Sequence, residues 1–271
     1  MGELTIRVYG MTDTGLRRDN NEDAIHCDPA GRYAMVADGM GGHNAGEVAS
    51  ALAVSVLRAA LEPALAEEAD AARLEEHLRE TIGRANQEIF QGARLDPKCA
   101  GMGTTLALCV FHPAGVLLAH VGDSRIYRLR GERLELLTAD HSLIQELLDT
   151  GFLSEEEARN SQNKNLITRA LGIADTVEPD LRNLAAEPGD LYLLCSDGLT
   201  DLVSELEIEQ LLVERGESLE SAVPALIQRA NEHGGRDNVS VILARMEASV
   251  SPTPRASKRA AKKPAKKPAK K

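Results

Sequence analysis

Ala34-Met35-Val36-Ala37-Asp38-Gly39-Met40-Gly41-Gly42-His43 decides how this chain is read. Four apolar residues run into Asp38, and a glycine-rich turn follows. The pattern recurs. Val116-Leu117-Leu118-Ala119-His120-Val121-Gly122 runs into Asp123-Ser124, and Leu191-Tyr192-Leu193-Leu194-Cys195-Ser196 runs into Asp197-Gly198. Asp237-Asn238 precedes Val239-Ser240-Val241-Ile242-Leu243. Short β-prone runs bounded by Asp and Gly read as strands with turns at their ends. If the last strand runs antiparallel to the others, all four carboxylates gather at one edge of a sheet. Gathered carboxylates repel unless cations lie between them, and hard divalent ions such as Mg2+ or Mn2+ prefer oxygen ligands. Each aspartate taken alone is an ordinary turn residue, because Asp and Gly dominate turns. The wider contexts reverse that reading.

Outward from this frame, residues 4–8 and 22–37 read as strands interrupted by turns. Val48, Leu52, Val56 and Leu57 give the segment 45–65 a helical period, and Leu74, Leu78, Ile82, Ile89 and Phe90 mark a second amphipathic helix. Strands are expected at about 104–111, 116–121 and 125–130, with a hairpin turn at 129–133. Ser142 to Leu148 reads as a short helix. Residues 149–165 are polar and irregular, the character of a functional surface flap. A strand near 191–195, helices near 205–214 and 219–232, and a last strand at 239–246 complete the set. Strands at both ends and in the middle, with helix pairs between, predict α+β layers rather than βαβ repeats.

A chain of 271 residues that is 43% hydrophobic can build a substantial core, and with 3% aromatics that core must be aliphatic. Net charge is −11, yet Arg255 to Lys271 carries nine cations and no acid, which leaves −20 on the rest. So acidic a body argues against nucleic-acid or anionic-membrane binding by the folded part. Cys27, Cys99, Cys109 and Cys195 form no Cys-x-x-Cys pair and read as buried free thiols of a reducing cytosol. No signal segment or membrane span is legible, so a cytoplasmic protein is expected. From Ser249 onward, repeated Pro and Lys with no apolar period predict a disordered tail. The domain reading is a folded unit at 1–247 and the basic tail at 248–271. Three roles stand open for the tail: binding nucleic acid or another anionic surface, docking on the acidic body of the chain, or staying a solvated segment.

Read in order, the turns become specific. They are Arg18-Asp19-Asn20-Asn21-Glu22-Asp23; Asp38 to His43 with Ala45-Gly46-Glu47; Gly101-Met102-Gly103-Thr104-Thr105; and Gly122-Asp123-Ser124-Arg125. Asp140-His141-Ser142 with Ile167-Thr168-Arg169-Ala170-Leu171-Gly172, Ser196 to Asp201, and Gly235-Arg236-Asp237-Asn238 follow. This ordered set, over roughly residues 4–246, resembles the PPM family of metal-dependent (type 2C) Ser/Thr protein phosphatases in its compact bacterial form. The resemblance implies a β-sandwich of two antiparallel sheets flanked by helix pairs, with two tightly held Mn2+ or Mg2+ ions at one end. It implies that Asp38 bridges both metals, that Asp197 and Asp237 hold the first, and that the Gly39 carbonyl, with Glu22 through water, holds the second. Asp123 resembles the ligand of a third, weaker metal shared with Asp197. Arg18 matches the arginine that grips the substrate phosphate, and 143–165 matches the family's flap. Asp23, beside Glu22, is read as support for the ligands. His43 follows a Gly-Met-Gly-Gly insertion, and two roles stand open for it: protonating the leaving oxygen, or a structural hydrogen bond. His120 and His141 are read as structural.

The chemistry fits these residue types. Two metals acidify a water and neutralise charge in an in-line phosphoryl displacement. A guanidinium offers a planar fork to phosphate oxygens. Rival phosphatase signatures are absent: no cysteine has Arg six positions on, and Asp-x-Asp-x-Thr does not occur. The implied reaction is hydrolysis of phosphoserine and phosphothreonine in proteins by a monomer that reverses a cytoplasmic Ser/Thr kinase. The alternative is a catalytically weak metal-binding scaffold or regulatory module, which the retained acids oppose.

Overall fold

The computed structural model describes residues 4–42, 45–65, 71–112, 115–154, 157–158 and 166–248. Two antiparallel sheets pack face to face. The first takes β1 (Leu4–Asp13), β11 (Val239–Ala248), β10 (Leu191–Cys195), β7 (Arg125–Arg130) and β8 (Arg133–Leu136) in that spatial order. The second takes β2 (Asp23–Cys27), β3 (Tyr33–Met40), β5 (Leu106–His112), β6 (Gly115–Val121) and β9 (Asp180–Leu184), with β4 (Gly103–Thr104) paired to β3. Helices α1 (Ala45–Ala64) and α2 (Ala71–Leu95) cover the second sheet. Helices α5 (Glu205–Arg215) and α6 (Leu219–Glu232) cover the first. Two shorter helices, α3 (Leu143–Asp149) and α4 (Asp197–Thr200), lie toward one end. The expected α+β sandwich of two antiparallel sheets flanked by helix pairs is the observed architecture.

The central strands β3, β5, β6 and β10 are buried along nearly their whole length because both of their faces are covered. In β3, Ala34 and Val36 enter the core between the sheets, while Tyr33 and Met35 face α1 and α2. In β10, Tyr192 and Leu194 point between the sheets and Leu191, Leu193 and Cys195 face α5 and α6. A period of two set between two buried faces reads as an unbroken apolar run. The inter-sheet core mixes small and aliphatic residues such as Ala34, Ala107, Leu118, Ile242 and Ala244 with the larger Phe111, Tyr192 and Met246.

Several local expectations are met. The hairpin at 129–133 joins β7 to β8, with Arg130 opposite Arg133. Ser142 caps α3, its hydroxyl accepting from Gln145 N–H. Two elements were not foreseen: β9, whose polar Asp180-Leu181-Arg182-Asn183-Leu184 shows no apolar run, and α4, a single turn directly after β10. The thiol reading is corrected in part. Cys109 and Cys195 are buried, but Cys27 and Cys99 are only half-buried: Cys27 ends the edge strand β2 and Cys99 ends a short 3-10 turn at 97–99. His43, most of 155–165 and the tail from 249 lie outside the described residues. Among the described residues no helix is long and apolar enough to cross a membrane.

Candidate metal centre

Antiparallel pairing gathers the four aspartates. β10 and β11 are neighbours, so Asp197 just after β10 and Asp237 just before β11 reach the same edge. β7 pairs with β10, with Arg125 opposite Cys195, which brings the Asp123 turn to that edge as well. Asp38 closes β3 on the facing sheet, directly opposite Asp23 of β2. Arg18, Glu22, Asp38, Gly39, Asp123, Asp197 and Asp237 all line one cavity of about 220 Å³, together with Asn238 and Ile167. Every described site residue expected from the sequence is thus brought together. No three of these acids bring oxygens within 4.8 Å of one another, so they stand around a space rather than on a point.

The backbone under each ligand is fastened. Thr105 accepts from Asp38 N–H at 3.0 Å and its own N–H donates to Asp38 O at 2.9 Å, while the Thr104 hydroxyl donates to the same carbonyl at 2.9 Å. Thr105 also shares a 2.7 Å hydroxyl bond with Ser124, tying the Asp38 strand to the Asp123 turn. Arg125 grips Asp140 through two nitrogens, at 2.9 and 2.7 Å, and fixes that turn from the other side. Gly39 and Gly46 meet face to face. A Cβ on Gly39 would lie 2.1 Å from the Gly46 carbonyl and 2.5 Å from that of Glu22, so no other residue lets β3, α1 and the Glu22 segment converge.

Asn238 is the residue whose role sequence reasoning missed. Its Oδ1 accepts from Glu22 N–H at 2.8 Å, and its Nδ2 donates to the carbonyls of Thr14 at 3.0 Å and Asn20 at 2.9 Å. One side chain therefore holds the whole segment bearing Arg18 and Glu22 against the start of β11. The only available signal was its place beside Asp237. Ser196 does a similar task, donating to Asp23 at 2.8 Å and accepting from Ser240 N–H at 3.0 Å.

Charge in the cavity is unbalanced. Burial, then the nearby Asp23, Asp197, Asp123 and Asp237, push the Asp38 carboxyl far above its ordinary range. Asp197 rises likewise, by burial and then by Asp123, Asp201, Asp237 and Asp23. Asp123 is pushed up to about 6 by burial and then Asp140, and Asp23 to about 6 by burial. One buried Asp23 oxygen, Oδ1, has no hydrogen-bond partner. Among the described residues the one cation lining the cavity is Arg18, 2.7 Å from Asp237 Oδ2 and half exposed. Crowded carboxyls, an unpartnered buried oxygen and a glycine-lined approach to a carbonyl form an all-oxygen donor set, and hard divalent cations fit it.

The family model described as protein phosphatase 2C matches residues 16–243. The serine/threonine phosphatase stp of Listeria monocytogenes is 41% identical over 239 residues, covering 87% of this chain and 94% of that protein. The crystal structure of the Mycobacterium tuberculosis serine/threonine phosphatase PstP/Ppp superposes with a TM-score of 0.82 at 38% identity, over 90% of this chain and 99% of that one. The catalytic domain of PstP in complex with two manganese ions gives a TM-score of 0.79 at 38% identity, over the same shares of the two chains.

Proposed function

Because this chain belongs to the protein phosphatase 2C family and is a protein-serine/threonine phosphatase, we propose that its catalytic centre is the acidic cavity between the two sheets. Family members depend on manganese or magnesium. Asp38, Asp197 and Asp237 would hold such ions, with the Gly39 carbonyl and, through water, Glu22. Asp123 with Asp197 would take a third, weaker one. Bound there, the ions supply an acidified water and positive charge against the phosphoryl oxygens.

The chain's own groups do the rest. Arg18 leaves Asp237 for the substrate phosphate. The exchange costs little, because a half-exposed pair contributes about 0–1 kcal/mol, and the guanidinium fork matches two phosphate oxygens. Thr104, Thr105 and Asn238 hold Asp38 and Glu22 in place while the occupant of the cavity changes. His43, outside the described residues, is the candidate proton donor to the leaving serine or threonine oxygen. Cys27, Cys109 and Cys195 do not compete as nucleophiles: burial raises all three thiols, Cys27 to about 11 and Cys195 to about 12.

The substrates are proposed to be cytoplasmic phosphoproteins, the enzyme a monomer opposing a Ser/Thr kinase. The folded unit is proposed to end near 247, with the basic tail beyond it as an electrostatic contact. The observation that carries the catalytic reading is the convergence of five acidic residues, Gly39 and Arg18 on one cavity. Phosphate release from phosphoserine and phosphothreonine peptides with Mn2+ tests it. Metal binding without turnover would leave the scaffold reading.

A further inference from the structure

The catalytic cavity adjoins a larger one. A cleft of about 740 Å³ shares Asp123 and Asp197 with it. One wall is α4 and its cap, with Thr200 and Asp201; the other is α3, with Ile144, Gln145, Leu148 and Asp149. The composition of α3 is unusual for a helix on a folded domain. Leu143, Ile144, Leu147 and Leu148 are aliphatic, yet the helix buries none of its residues. An apolar helical face left uncovered lacks a partner. The i, i+4 spacing sets Ile144 and Leu148 in one row and Gln145 and Asp149 in the next. Beyond the helix, Gly151 at φ 72° lets the chain turn back. The N–H groups of Phe152 and Leu153 both donate to Leu147 O, and Leu153 joins Leu148 in the lining.

This wall is fixed relative to the catalytic centre. Leu143 N–H donates to Leu166 O at 2.9 Å, and Ser142 bridges to Ile167, which lines the catalytic cavity. Charge in the cleft is one-sided. Among the described residues five aspartates line it with one cation, Arg125, which already grips Asp140 through two nitrogens. Asp123 and Asp197 belong to the catalytic centre, so Asp149 and Asp201 are the acids left to face an occupant. Gln145 Nε2 donates to Asp149 Oδ1 at 2.8 Å and steadies that carboxylate at the end of α3.

We propose that this cleft selects protein substrates with a long cationic side chain, lysine or arginine, close to the phosphoserine or phosphothreonine, and that Ile144, Leu148 and Asp149 are its specificity-determining residues. The inference rests on the catalytic reading above. A phosphoresidue in the catalytic cavity sends its chain on at about 3.3–3.6 Å per residue, so positions within about three residues of it reach the cleft. A side chain with an apolar stem and a charged head fits the lining. The methylenes lie along Ile144 and Leu148, and the cation meets Asp149. An acidic neighbour of the phosphoresidue meets like charge instead, and a short apolar one leaves the cleft unfilled.

The test uses the full-length protein in saturating Mn2+ and a series of phosphothreonine peptides, alanine elsewhere, with one lysine, norleucine or glutamate near the phosphoresidue. Each is placed within about three positions on either side. At one position or more, lysine is expected to raise kcat/KM about fivefold or more over alanine, norleucine to raise it less, and glutamate to lower it. Asp149→Lys should cut the lysine-over-glutamate ratio at least about tenfold. The position is exposed and in the last turn of α3, where a cation suits the helix dipole, so the variant is expected to fold. Leu148→Ala should remove the advantage of norleucine over alanine. Glu146→Lys, on the same helix but outside the cleft, should leave the ratio unchanged. Asp149→Lys and Glu146→Lys should both hydrolyse para-nitrophenyl phosphate at the parent rate. No lysine preference at any position, a preference untouched by Asp149→Lys, or an equal change from Glu146→Lys overturns the inference and leaves the catalytic reading standing. If no phosphopeptide is hydrolysed at all, both fall.

Discussion

Asp38 illustrates how far a single residue can be read. Its type and its turn were legible, because acid-plus-glycine after an apolar run is a local signal. What holds it was not, since Thr104, Thr105 and Ser124 arrive from distant segments. Replacing Asp38, Asp197 or Asp237 by Asn is expected to lower turnover at least about a hundredfold at saturating Mn2+. Steady-state phosphate release checks this, and near-normal turnover in Asp38→Asn would sink the ligand assignment. Arg18→Ala should mainly raise KM for a phosphopeptide with a smaller loss of kcat, since a phosphate grip acts in ground and transition states alike. An unchanged KM with a large fall in kcat would move Arg18 into the chemical step. The Arg18–Asp237 contact was invisible in the sequence: more than two hundred positions separate the partners.

Elements were legible where a single period governs them. α2 buries the stripe its 3.6-residue period marks, Leu74, Leu78, Ile82 and Ile89. In α1 the buried stripe is instead Ala45, Ala49, Ala53, Leu57 and Leu61, and the expected Val48 is exposed, because alanines pack closely enough on the sheet to take the inner face. β9 was missed because half-exposed edge strands need few apolar residues; its partner β6 supplies the hydrophobic side. α4 was missed because four residues are too few to show any period. Joints between elements were the least legible, and Asn238 is the main one. Asn238→Ala would leave the Glu22 N–H and the Thr14 and Asn20 carbonyls without partners. The expected loss is about 2–4 kcal/mol in denaturant unfolding, with a fall in kcat as the Glu22 segment loosens. Ser204→Ala, which opens the capping box of α5 with Glu207, is the contrast. It should cost about 1 kcal/mol and leave kcat unchanged. Equal kinetic effects from the two variants would deny Asn238 its special role.

At the scale of the whole molecule, charge couples the centre to stability. A carboxyl whose folded pKa exceeds its unfolded value, about 4, adds stability below that pH. The contribution is lost as pH rises through the folded value, near 6 for Asp23 and Asp123; Asp38 and Asp197, raised well above the ordinary carboxylate range by burial, act in the same direction. His120 works the other way over much of that range, its folded pKa being near 4. Comparison with and without Mn2+ separates the two. Ions and protons compete for the same oxygens, so the Mn2+-induced rise in melting temperature should be larger at pH 7.5 than at pH 5. An equal rise at both would mean these acids are not the ligands. Truncation after Val250 should leave hydrolysis of a small phosphate ester within about threefold, because every residue placed in the centre lies before β11. Any binding of full-length protein to DNA, RNA or anionic lipid should vanish toward ~0.3 M salt. A truncated protein that still binds DNA would show the tail misread. The pairing of β1 with β11 also bears on biosynthesis. Leu4 waits for Ala248 and Asp13 for Val239, a delay of roughly ten seconds to nearly a minute at ordinary translation speeds. Until β11 leaves the ribosome, the first strand has no neighbour on its side of the sandwich, and Arg18 and Asp237 cannot meet. A nascent chain stalled before that point cannot dephosphorylate anything.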